Sequence, residues 1–205
     1  MRAACGLALG LLTAGCGSGS TPDQHGATAG SSHGVVARPQ IPADWPPGKR
    51  IVMHVTPSLK QSYVLACDTP IPAWNYLHRG HRVTIALDAD AVTAFRRDGS
   101  GRTPLDRLEI LREDLDDLSD LLDVPLGTTP RTYGELFRFL SSNGIRIVAN
   151  GDVLRARGIK PTELDPMVTV VSGADFKALL QDVDALLPYE EVAVPHHSLF
   201  HGGSH

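Results

Sequence analysis

Short apolar runs alternate with amphipathic stretches along most of this chain. IVMHVT (51–56) is β-rich and predicts a first strand. In the segment after it, Tyr63, Val64, Cys67, Ile71, Trp74 and Leu77 recur at helical spacing, and Pro70 and Pro72 break or kink that helix. Asp68 or Thr69 is placed to cap a restarted helix with Pro70 in its first turn, and Gly80 ends it. HRVTIALD (81–88) predicts the second strand, ADAVTAF a short helix, and RRDGSGR an exposed loop. From Thr103, Leu105, Leu108, Leu111, Leu115, Leu118 and Leu122 recur at three- and four-residue steps, which predicts one long amphipathic helix starting at Pro104. Its other face is strongly acidic and is read as solvated surface rather than a docking patch.

The remainder continues the alternation. TTPRTYGELFRFLSSNG is a capped helix closed by Asn143-Gly144, and IRIVAN (145–150) is the third strand. GDVLRARGI turns at Gly151 into a short basic helix closing on Gly158, and KPTELDP is a turn or helical stub. MVTVV (167–171) is the fourth strand, SGADFKALLQDVD a helix with Ser172 as N-cap, and ALLPY a last short strand. Strands that are near-continuous apolar runs are covered on both faces. The chain therefore predicts a three-layer αβα sandwich over residues 49–190, with a mostly parallel sheet of about five strands and an added acidic amphipathic helix. Ligands in such folds sit beyond the carboxyl ends of the strands. That rule selects Thr56 and Ser58, then Asp88 and Asp90, then Asn150, Gly151 and Asp152. His54, inside the first strand, is read as a core or semi-buried residue outside any site.

The N-terminus departs from this pattern. MRAACGLALGLLTAGC is one Arg, a short apolar run and small residues, the shape of a secretory signal over residues 1–15. Leu12-Thr13-Ala14-Gly15-Cys16 resembles a bacterial lipobox, although the Leu stands one place further from the Cys than usual. Cys16 is then the lipidated first residue of an exported, membrane-anchored chain. Residues 16–48 are Gly/Ser/Thr-rich and suit a flexible tether. With Cys5 leaving with the signal and Cys16 lipidated, Cys67 is the sole cysteine of the folded part, so no disulfide forms within the domain. The formal charge of −4 argues against a nucleic-acid partner.

The order of elements and several local segments resemble the DsrE/DsrF-like family of sulfur-relay proteins. IVMHVT, HRGHRVTIALDADAV, LSSNGIRIVANGDVLRARGI and TVVSGADFKALLQDVDALLPY carry the resemblance, which spans roughly 51–189; the leucine-rich acidic stretch is an addition. In persulfide-carrying members a Cys ends the third strand. Counting back eight from Gly158 puts Asn150 at that position, and Val153 stands where some members have a second Cys. The chemistry needs a thiolate, which an amide cannot replace. The resemblance thus implies a DsrE-like domain without the sulfur carrier, and, since members assemble as trimers or hexamers, a homo-oligomer or DsrE-like partner subunits.

Three functional readings follow. The first is a binding or assembly module rather than an enzyme, linked to sulfur or redox metabolism by its relatives. For it, Asn150, Gly151 and Asp152 either form a polar pocket with Arg155 or Arg157 or simply make a turn and a helix cap. Asp88 and Asp90 likewise either converge on a ligand or cap the helix ahead of AVTAF. The second is a sulfurtransferase-type enzyme using the Cys67 thiol, set against the reading of Cys67 as an inert core residue. The third is a metal-binding lipoprotein. His196, His197, His201 and His205 crowd the tail over residues 191–205, and imidazoles suit zinc or copper.

Overall fold

A computed structural model of the protein describes residues 41–62 and 64–189. The proposed signal, the tether as far as residue 40, Tyr63 and the His-rich tail therefore lie outside the described residues.

Five strands form one all-parallel sheet in the order β4-β3-β2-β1-β5. They are β1 (Arg50–Val55), β2 (Arg82–Leu87), β3 (Arg146–Asn150), β4 (Val168–Val171) and β5 (Ala185–Tyr189). The helices are α1 (Pro70–His78), α2 (Leu115–Leu122), α3 (Tyr133–Ser142), α4 (Gly151–Ala156) and α5 (Gly173–Gln181). From β1 to β4 the chain steps across the sheet in one direction, then α5 carries it back to the far side of β1. Right-handed crossovers place helices of opposite stepping direction on opposite faces. The core follows this. Ile51, Met53, Val55, Ile85, Leu87 and Ile147 point to the large cluster under α1 to α4, whereas Val52, Ala86, Val148 and Phe176 form a small cluster under α5. The result is the three-layer sandwich expected from the alternation.

Local signals account for the helix ends. Thr69 precedes α1 with Pro70 at its first position and Gly80 (φ +81°) follows it, but the expected side-chain cap does not form: the Thr69 hydroxyl donates back to Val64 O at 3.1 Å. Thr132 and Glu135 make a reciprocal capping box on α3, and Ser172 accepts from the Asp175 amide to cap α5.

The long acidic helix is the main correction. Pro104–Arg107 and Arg112–Asp114 are separate 3₁₀ turns, and only Leu115–Leu122 is α-helical. The residues between the turns pair instead with the approach to α3: Tyr133 N–H donates to Leu108 O at 3.0 Å and Ile110 N–H to Arg131 O at 2.9 Å. The cause is Asp106. In a solvated helix it would face water, but here it is buried, 8% exposed, and receives Arg138 from α3 at 2.7 and 2.9 Å. Arg138 also reaches Asp165 at 2.7 Å, so one guanidinium fastens α3 to the added segment and to the turn before β4. Gly134 has to be glycine for this: a Cβ there would lie 2.1 Å from the Asp106 carboxylate. The Arg138 contact holds the Asp106 carboxyl down at about 2, with the Thr103 backbone and hydroxyl acting the same way. The acidic face expected of the helix survives in α2, where Asp116, Asp117 and Asp120 are not buried while Leu115, Leu118 and Leu122 are.

His81, between α1 and β2, is 2% exposed, and neither ring nitrogen has a partner among the described residues. Burial pushes its pKa below the ordinary value, and Arg79 and Lys49 push the same way. The folded state therefore resists protonation, while the unfolded chain takes up a proton below about pH 6.5. Stability is predicted to fall as the pH drops from about 6.5, before Asp106 titrates. Urea midpoints at pH 7.5 and 5.5 should show this loss, and His81→Leu should flatten it while equalling or exceeding the parent at pH 7.5; an unchanged slope in His81→Leu would refute the assignment.

Candidate functional site

The sheet register assembles the polar groups at the carboxyl edge. In β1 and β2, His54 pairs with Ala86; in β2 and β3, Leu87 pairs with Ala149. One step further, Asp88 stands beside Asn150. Side chains alternate faces along a strand, so Ala86, Val148 and His54 share the α5 face, and Asp88 and Asn150 follow on it. Three strands thus deliver one side chain each to the same corner, under the first turn of α5.

Asp88 is the hub. One carboxylate oxygen accepts from Asn150 Nδ2 at 3.1 Å and from the Ala89 N–H at 2.9 Å, and the other meets His54 Nε2 at 3.2 Å. A carboxylate oxygen accepts in this contact, so Nε2 carries the proton that it receives. Phe176 lies edge-on to the imidazole, with centroids 6.1 Å apart. The side chains of His54 and Asp88 are 17% and 25% exposed, half-buried and within reach of a ligand at the edge. The loop after β2 is strapped to β1, with Asp88 N–H on Val55 O and Asp90 N–H on Thr56 O, and Ala89 takes a left-handed φ of 43° between them.

The predicted residues divide accordingly. Asn150 N-caps α4, its carbonyl accepting from Asp152 N–H at 3.0 Å while its amide donates to Asp88. Gly151 leaves no room for a side chain: a Cβ would sit 2.7 Å from Val171 O. Asp152 turns toward α5, accepting from Gly173 N–H at 3.2 Å and pairing with Arg155 at 2.5 Å. Asp90 diverges from Asp88 and pairs with Arg157. The helix-capping reading of the two aspartates needs correction, because no side-chain cap forms on the 3₁₀ turn Ala91–Phe95; the carboxylates are drawn to His54, Asn150 and Arg157 instead. Ser58 bonds Gln61, away from this corner.

His54 is the residue sequence reasoning set aside. Its signal was parity: it lies an even number of positions from Val52 on the same strand, so whatever covers Val52 also covers His54. The arrangement orients an imidazole and presents it with the Asp88 carboxylate at the edge, while the Asn150 amide is spent within the corner. Among the described residues no Ser, Thr or Cys side chain bonds His54, so it activates no nucleophile among them.

Cys67 lies in a π-type turn, Val64–Asp68, against the core and 4.0 Å from the Tyr133 hydroxyl. Among the described residues no group of three or more His, Cys, Asp or Glu could hold a metal, and no helix is long and apolar enough to cross a membrane. Cys16 and His196, His197, His201 and His205 lie outside the described residues.

No model of a known protein family matches this sequence, and no curated protein matches it. Among solved structures it is similar to the YchN protein of E. coli, at 15% identity and a TM-score of 0.48, with 69% of this chain and 99% of that one covered. It is also similar to a protein of unknown function from Methanobacterium thermoautotrophicum, at 19% identity and a TM-score of 0.39, with 69% and 98% covered. These likenesses carry no argument about what the chain binds or does.

Removing Asp88 leaves the His54 and Asn150 donors without their acceptor, and removing Asn150 costs a helix cap as well. Asp88→Ala and Asn150→Ala are each expected to destabilise by about 1–2 kcal/mol in urea unfolding, reduced by partial solvent access. A loss below roughly 0.5 kcal/mol in both would show that water already satisfies the corner.

Proposed function

We propose that residues 49–190 form a DsrE-like domain without persulfide chemistry at the third-strand position, acting as a binding or assembly module for a small polar ligand. One observation carries the reading. Asn150, which the resemblance puts at the sulfur-carrier position, spends its amide on Asp88 and its carbonyl on the α4 cap. The position is a fastening between two strands and a helix, and its side chain has no nucleophile. What remains at the edge is the His54–Asp88 pair, which suits hydrogen-bonded recognition and lacks a bonded nucleophile for group transfer.

The same proposal places the domain outside the cytoplasm on a lipid anchor. The apolar run ending at Cys16 and the Gly/Ser-rich segment after it support this.

Two measurements test these parts separately. After incubation with a persulfide donor, mass spectrometry of the protein should show no added sulfur; a stable adduct on Cys67 would overturn the binding-module reading in favour of a thiol-dependent enzyme. Radiolabelled palmitate fed to expressing bacteria should enter the chain and be lost in Cys16→Ser. Label retained in that variant, or none in the parent, would remove the anchor and leave the binding module standing.

A further inference from the structure

A separate cavity of about 600 Å³ lies between the segment after β2 and the turn before β4. Its wall carries four guanidinium groups, Arg96, Arg97, Arg102 and Arg107, against two carboxylates, Asp98 and Glu163. The carboxylates are already used: Asp98 pairs with Arg107, and Glu163 with Arg96 at 3.2 Å. Among the described residues Arg97 and Arg102 meet only backbone carbonyls, at Thr162 O (2.7 Å) and Asp106 O (2.8 Å). Each such bond leaves most of the five-donor fork unspent and the full positive charge uncompensated. Arg97 Nε is in addition buried with no hydrogen-bond partner among the described residues. A chain of net charge −4 thus keeps a concave positive surface at one place.

The loop behind this wall is rigidly built. Asp98 N–H donates to Arg102 O at 2.8 Å, which closes residues 98–102 into a tight turn and sets Arg97 and Arg102 at its two ends. Inside the turn, Asp98 accepts from the Ser100 amide and hydroxyl at 2.8 and 2.6 Å, and Gly101 supplies the left-handed φ of +80°. These bonds, Ser100's foremost, hold the Asp98 carboxyl at about 2, so it stays ionised and fixed on Arg107 at any physiological pH. The arginines are therefore presented before any ligand arrives, which lowers the ordering cost of binding. Planar forks match the oxygens of a tetrahedral oxyanion, and arginine is preferred over lysine where that geometry matters. The cavity exceeds what a bare ion fills and lies within the roughly 300–1,000 Å³ of small-molecule sites.

We propose that this cavity binds a phosphate-class dianion through Arg97 and Arg102, with Arg96 and Arg107 completing the positive wall. The site is independent of the His54–Asp88–Asn150 corner and of the function assigned to it. Isothermal titration of the full chain with inorganic phosphate and with glycerol phosphate, at ionic strength fixed with chloride, tests it. Saturable binding is expected, and Arg97→Gln combined with Arg102→Gln should weaken it by about tenfold or more. Arg96 is exposed, so Arg96→Gln keeps the fold and should by itself weaken binding about threefold. Tighter binding of the ester assigns the cavity to phosphate monoesters, and equal binding assigns it to the free ion; both support the site. No saturable heat above the chloride reference, or affinities unchanged in the variants, would overturn it.

Discussion

The candidate corner depends on the parallel register of β1, β2 and β3. Because side chains alternate with a period of two, a slip of one residue in any pair would send its polar group through the sheet into the opposite layer. The register is held by what lies beneath. Ile51, Met53, Val55, Ile85, Leu87 and Ile147 fill the large core with almost no exposure, and exchanging them for their neighbours would bring polar side chains into it. Hydrophobic burial on one face thereby dictates which groups meet on the other. His54, Asp88 and Asn150 are brought together without any local sequence linking them.

The two faces of the sheet are unequal, and that inequality makes the corner accessible. Three helices and the added segment with α2 cover one side, whereas α5 alone covers the other with Phe176 as its principal anchor. The lone helix leaves the upper rows of the sheet half-buried. Polar side chains tolerate such a setting when they bond one another, as these do. On the crowded side a charged group has no such latitude. Arg138 is accepted there because two buried carboxylates receive it with good geometry, and it in turn decides the shape of the segment between β2 and α3.

Legibility in the sequence followed the range of the forces involved. Strand positions, the Ser172 cap, the Pro70 restart and the Gly80 and Gly144 stops were all readable, since each is set by residues within a turn or two of one another. The leucine repeat from Leu105 to Leu122 misled because its spacing is helical while its partners are not. Leu108 and Ile110 find hydrogen bonds across to Tyr133 and Arg131, and Asp106 is captured by an arginine thirty-two positions away. His54 was passed over for the same reason. A histidine in a strand has no distinguishing neighbour in sequence, and its partner Asp88 lies on the next strand.

Sequence by itself determined the order of elements, the three-layer class, the absence of a cysteine at the end of the third strand and the concentration of arginines between residues 96 and 107. Periodicity, capping chemistry and residue identity are local properties, and they do not change with the path of the chain. Tertiary structure decided that Asn150 is a fastening rather than an open ligand, that Asp88 and Asp90 part company, and that Arg97 and Arg102 face one cavity with backbone carbonyls as their partners among the described residues. Those outcomes turn on which charges and donors find each other across strands and loops. Such pairing is settled only when burial has fixed the register and withdrawn the competing water.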